Sequence, residues 1–421
     1  MPTYYYESYG CTANKADMEK IIYLLESHGF VLTDSPEKAD VVIVNTCGVK
    51  LPTENKIIDR IKVLKSINPR IVVTGCLPRI NRRRMELLQV SLVDVYSLPR
   101  IVEAVERTIK GERVLFFSEQ NPEVLDIPQK SISKFTGIVQ ISYGCLGSCS
   151  YCGTKFARGH LISLPPEKVI SRIISFLKEG KKEIYLTSQD CGCYGFDIGT
   201  TLTELMRQVA DIRKRFFVRI GMMNPNHLLG FVDEFVELIQ EPVFYRFAHV
   251  PVQSGSDNVL KAMNRKYSVD EFVELVKTLR KVPDITVSTD VIVGFPGETE
   301  EDFEQTLELL KKTRPDIVNI SKFSPRPGTP AARMKQVDSS VVKERSRIVT
   351  HLVSELSFEN TKKHIGKTMN ALAVERDRYG NTVCHTYNFR KAVLKEDLDL
   401  GEFYNLRIKD ASRTTLFAVL E

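Results

Sequence analysis

The chain has 421 residues, 43% hydrophobic and 27% charged, a globular composition that excludes a disordered or fibrous polymer and exceeds one ordinary domain. Its formal charge of +6 permits a polyanionic partner but is weak for a dedicated nucleic-acid binder. Nine cysteines without a secretory pattern argue against a disulfide framework, and no apolar run is long enough for a membrane span, so a cytoplasmic protein without a membrane partner is expected.

Residues 1–117 alternate helix and strand. An amphipathic segment from Lys15 to His28 stops at Gly29, and Val41 to Val44 reads as a buried strand. Helical spacing returns from Glu54 to Ile67, Ile71 to Val73 is a second buried strand, and Ile101 to Lys110 is a helix ending at Gly111. Such alternation predicts a parallel, Rossmann-like α/β domain. Between residues 118 and 134 the pattern dissolves around Pro122 and Pro128, as suits a linker.

Residues 135–358 carry six strand-like runs separated by helices: Ile138 to Ser142, Ile184 to Thr187, Phe217 to Ile220, Phe244 to Val250, Thr286 to Val293 and Ile317 to Phe323. Six βα units predict a partial (β/α)6 barrel of the TIM type. A charged helix from Ser339 to Lys362 precedes a tail, residues 359–421, that turns to period two. Strands are expected there at Met369 to Val374, Val393 to Leu394, Phe403 to Ile408 and Thr415 to Leu420, which predicts a small C-terminal β-barrel.

Chemistry is concentrated in the cysteines. Cys145, Cys149 and Cys152 follow the first barrel strand, so three thiolates converge at a strand's C-terminal end, where barrel enzymes keep their active sites. An iron-sulfur cubane has four irons, and three such ligands leave one open to a small molecule. A zinc site would want a fourth ligand, and the nearest histidine, His160, is not in finger spacing; three structural thiols are the remaining alternative. Cys11, Cys47 and Cys76 each lie near a strand or its expected end, and in a parallel sheet those ends share one edge. They could bind a second cluster or be unrelated core thiols. Cys191, Cys193 and Cys384 are read as incidental.

The run Cys145-x3-Cys149-x2-Cys152, with Tyr151 before its last cysteine, resembles the signature of the radical S-adenosylmethionine superfamily. With Gly10-Cys11, Asn45-Thr46-Cys47 followed by Glu54 and Lys56, Gly75-Cys76, and the segments Val250 to Ser256, Gly294 to Thr299 and Ser324 to Pro330, nearly the whole chain resembles the radical methylthiotransferase family. Cys152 to Gly159 and Leu186 to Thr200 look most like the archaeal and eukaryotic threonylcarbamoyladenosine tRNA branch.

The resemblance implies two [4Fe-4S] clusters on the six cysteines and two uses of S-adenosylmethionine. At Cys145, Cys149 and Cys152 it is cleaved to a 5′-deoxyadenosyl radical. At Cys11, Cys47 and Cys76 sulfur is held and methylated. Hydrogen abstraction at adenine C2 of N6-threonylcarbamoyladenosine at position 37 would follow, in a base looped or flipped from the anticodon stem-loop. A reducing electron donor is implied, and the sulfur source is unknown. The tail resembles a TRAM domain, an RNA-binding barrel, and from Asn360 it has 11 Lys and Arg against 8 Asp and Glu.

Cofactor-binding candidates are Tyr151, Ser188, Gln189, Arg219, His249, Gln253 and Asp290. Substrate candidates are Arg158, near a cluster, and Arg79, Arg82 and Arg83, which follow Cys76 and could engage phosphates. Two other readings stay open. One is the same chemistry on another modified adenosine or on a ribosomal-protein aspartate; the other is a non-catalytic iron-sulfur protein that binds RNA.

Overall fold

A computed structural model describes residues 1–421, and the chain divides into two compact units. The first unit comprises Met1–Ile132, Gln140–Leu164 and Ser324–Ala332. The second comprises Ser133–Val139, Pro165–Phe323 and Arg333–Glu421.

In the first unit six strands form one sheet in the order Val31–Leu32, Thr3–Ser8, Val41–Thr46, Ile71–Gly75, Ser91–Val93, Leu115–Phe116, every neighbouring pair parallel. Residues Val41–Thr46 are buried at every position, as a strand covered by helices on both faces must be. Ile57, Ile61 and Leu64 line the buried stripe of helix Leu51–Ile67 against Val42, Val44, Ile71 and Val73. The tyrosine-rich strand Thr3–Ser8 sits inside this sheet, although its sequence pattern does not predict it. That helix spans Thr12–Ser27 and therefore starts on the residue after Cys11.

In the second unit the strands Phe217–Ile220, Glu183–Thr187 and Thr136–Gln140 form one sheet, and Phe247–His249, Thr286–Val293 and Ile317–Lys322 form another. A parallel bridge between Val218 and Phe244 links them into a partial barrel of six strands. The expected strand from Phe244 to Val250 shrinks to Phe247–His249, because the Arg246 amide donates to the Tyr387 carbonyl instead of to a neighbouring strand. Ser339–Lys362 is helical over the expected span, and no helix is long and apolar enough to cross a membrane.

A closed five-stranded barrel ends the chain, in the order Thr368–Arg376, Thr382–Thr386, Lys391–Leu394, Thr415–Leu420, Phe403–Ala411. Its strand Thr382–Thr386, absent from the sequence reading, pairs across a turn with Thr368–Arg376. Phe389 seats this barrel among Tyr185, Tyr245 and Phe247 at ring separations of 5.7, 4.9 and 5.1 Å. Beside it His385 Nδ1 lies 2.7 Å from the buried Glu183 carboxylate, which also accepts from Tyr245 Oη at 2.7 Å. Burial alone would raise the Glu183 carboxyl, but His385, Tyr245 and Thr136 together hold it below its ordinary value.

Candidate active site

All six cysteines of the two predicted triads belong to the first unit. Cys11, Cys47 and Cys76 each directly follow, or nearly follow, a parallel strand, so the shared edge brings them together. Asn14 Oδ1 lies 3.5 Å from Cys11 Sγ and 3.9 Å from Cys76 Sγ, while a Cβ built on Gly10 would stand 3.0 Å from Cys47 Cβ. At Gly75 the backbone turns with φ +91°, and an added Cβ would lie 2.4 Å from the Thr46 carbonyl. Only glycine can carry the chain there from the strand into Cys76.

The second triad sits on the loop after Ser142–Tyr143. Gly144 has φ +74°, and a Cβ there would be 1.7 Å from the His160 carbonyl, so the loop is clamped onto the residues that follow its own helix. The Gly147 amide donates to Cys145 Sγ at 3.2 Å, and a Cβ on Gly147 would fall 3.3 Å from that sulfur and 3.8 Å from Cys149 Sγ. Lys155 Nζ braces the same loop on the Gly147 carbonyl at 2.7 Å.

The helices Leu77–Ile80 and Thr154–Arg158, one after each triad, pack together, and Cys76, Ile80 and Ala157 share a buried cluster. Burial pushes the Cys76 thiol up to about 12 and raises Cys47 and Cys152 as well. A buried thiol held neutral is a poor nucleophile but loses its proton readily to a bound metal. Glycine-walled sulfurs at one triad, and three thiols from separate strand ends gathered around Asn14 and Gly10 at the other, fit two iron-sulfur groups better than thiols packed as core.

Polar residues between the triads were largely invisible in the sequence. Asp17 is buried beside Arg158, with Nη2 to Oδ2 at 2.6 Å, and Gln140 Nε2 donates to Asp17 at 2.9 Å while Tyr143 donates as well. Glu54 is fully buried and holds Arg326, Arg84 and Asn81. The available signal was a helix whose polar Asn14 and Asp17, three residues apart, share the face of buried Ala13 and Ile21.

Arg158, expected near a cluster or substrate, lies beside Asn14 and is 1% exposed. Arg79 is engaged by Asp94 and the Ser118 carbonyl. Arg82 pairs with Glu86 at 2.7 Å and covers the Phe117 ring, and both Arg82 and Arg83 are exposed. Tyr151 is half-buried on the second triad's loop.

The other candidates belong to the second unit. His249 Nε2 lies 2.9 Å from Asp290 Oδ1, which also accepts from Asn319 at 2.8 Å. Gln253 has φ 73° and its amide donates to the Asp290 carbonyl at 2.8 Å, so His249, Asp290 and Gln253 form one polar group. Ser188 Oγ lies 3.3 Å from Cys191 Sγ, with Gln189 next in the chain. Arg219 instead stacks on Tyr185, Phe247 and Phe389, with its guanidinium carbon 5.5, 4.9 and 4.9 Å from the ring centres.

Cys193, read as incidental, lies with Asp190 and His227 so that one ligand atom from each falls within 4.8 Å of the others. Asp190 is already used there: it accepts from the Gly192 amide at 2.9 Å and the Asn224 amide at 3.0 Å, and faces His227 Nδ1 at 2.8 Å. Cys384 is buried in the terminal barrel's core.

Residues 139–310 match the radical SAM superfamily, and residues 3–96 match the uncharacterized protein family UPF0004. A Pyrococcus horikoshii protein bearing the name "probable threonylcarbamoyladenosine tRNA methylthiotransferase" is 43% identical, with 98% of each chain covered. The Xenopus laevis threonylcarbamoyladenosine tRNA methylthiotransferase is 36% identical over 96% of this chain and 75% of its own. Among solved structures, the radical S-adenosylmethionine methyltransferase TsrM from Kitasatospora setae, with cobalamin and a [4Fe-4S] cluster bound, superposes with a TM-score of 0.61. It is 14% identical, covering 79% of this chain and 74% of that one, so it shares the fold alone. Identity at this level along nearly the full length of such relatives shows that the chain belongs to the threonylcarbamoyladenosine tRNA methylthiotransferase family.

Proposed function

We infer that this protein converts N6-threonylcarbamoyladenosine at position 37 of tRNA to its 2-methylthio derivative, in the cytoplasm, drawing on a reducing electron donor and a sulfur donor. The observation that carries the reading is the packing of two cysteine triads into one folded unit, each followed by a short helix that rests on the other.

An aromatic C–H offers no acidic proton, so general acid-base catalysis alone cannot replace it with sulfur. The chemistry a cluster with an open iron supplies when bound at Cys145, Cys149 and Cys152 is one-electron cleavage of S-adenosylmethionine, which yields a carbon-centred radical. This chain's residues do the rest. Gly144, Gly147 and Lys155 hold the thiol loop in shape. In the second unit His249, Gln253 and Asp290, with Ser188 and Gln189, are the groups assigned to S-adenosylmethionine, whereas Arg219 is taken up by its ring stacking and Tyr151 belongs to the thiol loop of the first unit. Exposed Arg82 and Arg83 suit phosphate contacts of the anticodon stem, and the terminal barrel adds RNA-binding surface.

Nucleoside mass spectrometry of tRNA from a strain lacking the gene tests the reading. The 2-methylthio derivative should vanish, the unthiolated nucleoside should accumulate, and complementation should restore the product. Persistence of the product would overturn the tRNA assignment. Failure of reduced, reconstituted protein to form 5′-deoxyadenosine would favour a non-catalytic role.

A further inference from the structure

Two arginines beside the first triad are buried without enough partners. Arg158 is 1% exposed and Arg326 3% exposed. Arg158 uses Nη2 on Asp17 at 2.6 Å and on Asn14 at 3.4 Å, and Arg326 uses Nη2 on Glu54. The Nε and Nη1 atoms of both have no hydrogen-bond partner. Burying such a donor unpaired costs about 1–3 kcal/mol, more where the group is charged, so these donors call for an acceptor beyond the Cys76 thiol that faces Arg158.

Their placement says what kind. Arg158 shares the Asn14 oxygen with the thiols of Cys11 and Cys76. A Cβ on Gly153, the residue after Cys152, would lie 3.2 Å from Arg326 Cβ, so this second guanidinium comes from beside the other triad's loop. Cationic N–H donors left over in this way suit a small anion with several acceptor lone pairs. Ile80, Ala157 and Cys76 form one buried cluster, and Ile80 meets the space above Gly153 together with Arg326.

We propose that Arg158 and Arg326 are positioning residues that hold a small sulfur anion, hydrosulfide or a simple thiolate, beside the Cys11, Cys47 and Cys76 triad. The assignment rests on the functional reading above and deepens it: the pair retains sulfur at the triad where transfer begins. Asp17 and Glu54 then fix the two guanidiniums, each holding one Nη2 and leaving the Nε and Nη1 hydrogens without a partner.

The test uses the full chain carrying Cys145→Ala, Cys149→Ala and Cys152→Ala, so that the first triad alone holds iron after anaerobic reconstitution. Sodium hydrosulfide is titrated while the electron paramagnetic resonance spectrum of the reduced cluster is followed. Arg158→Lys and Arg326→Lys, which keep the charge but lose the fork, are each expected to raise the half-saturating concentration at least about tenfold with iron content unchanged. Equal half-saturation in parent and both variants overturns the proposal, because the donors then serve the cluster's own sulfurs. Should Arg158→Lys lose its iron, Arg326→Lys decides alone. Sodium methanethiolate in a parallel titration separates the two sources, since the tighter binder is the species held. A parent protein with no cluster signal would overturn the two-cluster function as well; an intact signal with unchanged affinity overturns the arginine assignment only.

Discussion

Arg158 and Asp17, 141 residues apart in sequence, meet at 2.6 Å with side chains 1% and 2% exposed. Asp17 also accepts from Gln140 and Tyr143, so one carboxylate ties the first helix to the segment that carries the second triad. Removing it leaves a buried guanidinium without its counter-charge, and Asp17→Ala should lower stability by about 3–5 kcal/mol. Anaerobic guanidinium unfolding of the apoprotein measures this, and a loss below about 1 kcal/mol would show that water or a neighbour replaces the carboxylate.

The two triads are expected to fail separately. Cys145→Ala should abolish formation of 5′-deoxyadenosine from S-adenosylmethionine, because the open iron site loses one of three ligands. Cys47→Ala should retain that cleavage while losing transfer of sulfur to tRNA. Chromatography of the cleavage product beside mass spectrometry of tRNA nucleosides reads both, and equal loss of both activities in Cys47→Ala contradicts the division of labour.

Gly144 offers a test of geometry without touching a thiol. A methyl group there meets the His160 carbonyl at 1.7 Å and demands φ +74° of a residue with a side chain, so the loop must move. Gly144→Ala should therefore lower reconstituted iron by about half, the share of one cluster of two, while the first triad keeps its own. Full iron content in this variant would mean that the loop tolerates rearrangement.

Periodic elements were the most legible part of the chain. Helix Ser339–Lys362 and the buried strands Val41–Thr46 and Ile71–Gly75 announce themselves because their burial is set by the pattern of their own side chains. Strand Thr3–Ser8 did not: its Tyr4-Tyr5-Tyr6 core carries hydroxyls, and its place between Val31–Leu32 and Val41–Thr46 comes from neighbours met later in the chain. The shortening at Phe247–His249 has a similar origin, since Tyr387 claims the Arg246 amide from 141 residues away. At the site, cysteine spacing and the family resemblance marked the triads, whereas Asn14, Asp17 and Arg326 act through pairings between distant segments that periodicity does not encode.

His364 gives the second unit a defined acid sensitivity. It follows the helix Ser339–Lys362, is 5% exposed, and its Nδ1 has no hydrogen-bond partner. Burial, reinforced by the Arg390 charge, lowers its pKa from 6.5 to about 4, against weaker opposing pulls from Asp284 and Asp316. The folded state thus keeps the imidazole neutral where the unfolded chain would protonate it. Between pH 6.5 and about 4 the unfolded state binds more protons, so stability is full above this window and falls as pH drops through it. The loss is on the order of 3 kcal/mol across the window, because each tenfold difference in proton affinity between the two states is worth about 1.4 kcal/mol. His364→Gln should flatten that slope, while Glu183 and Asp284, held below their ordinary values, act at still lower pH. Denaturant midpoints at half-unit pH steps measure the slope, and an identical slope in wild type and His364→Gln would assign the acid sensitivity to another group.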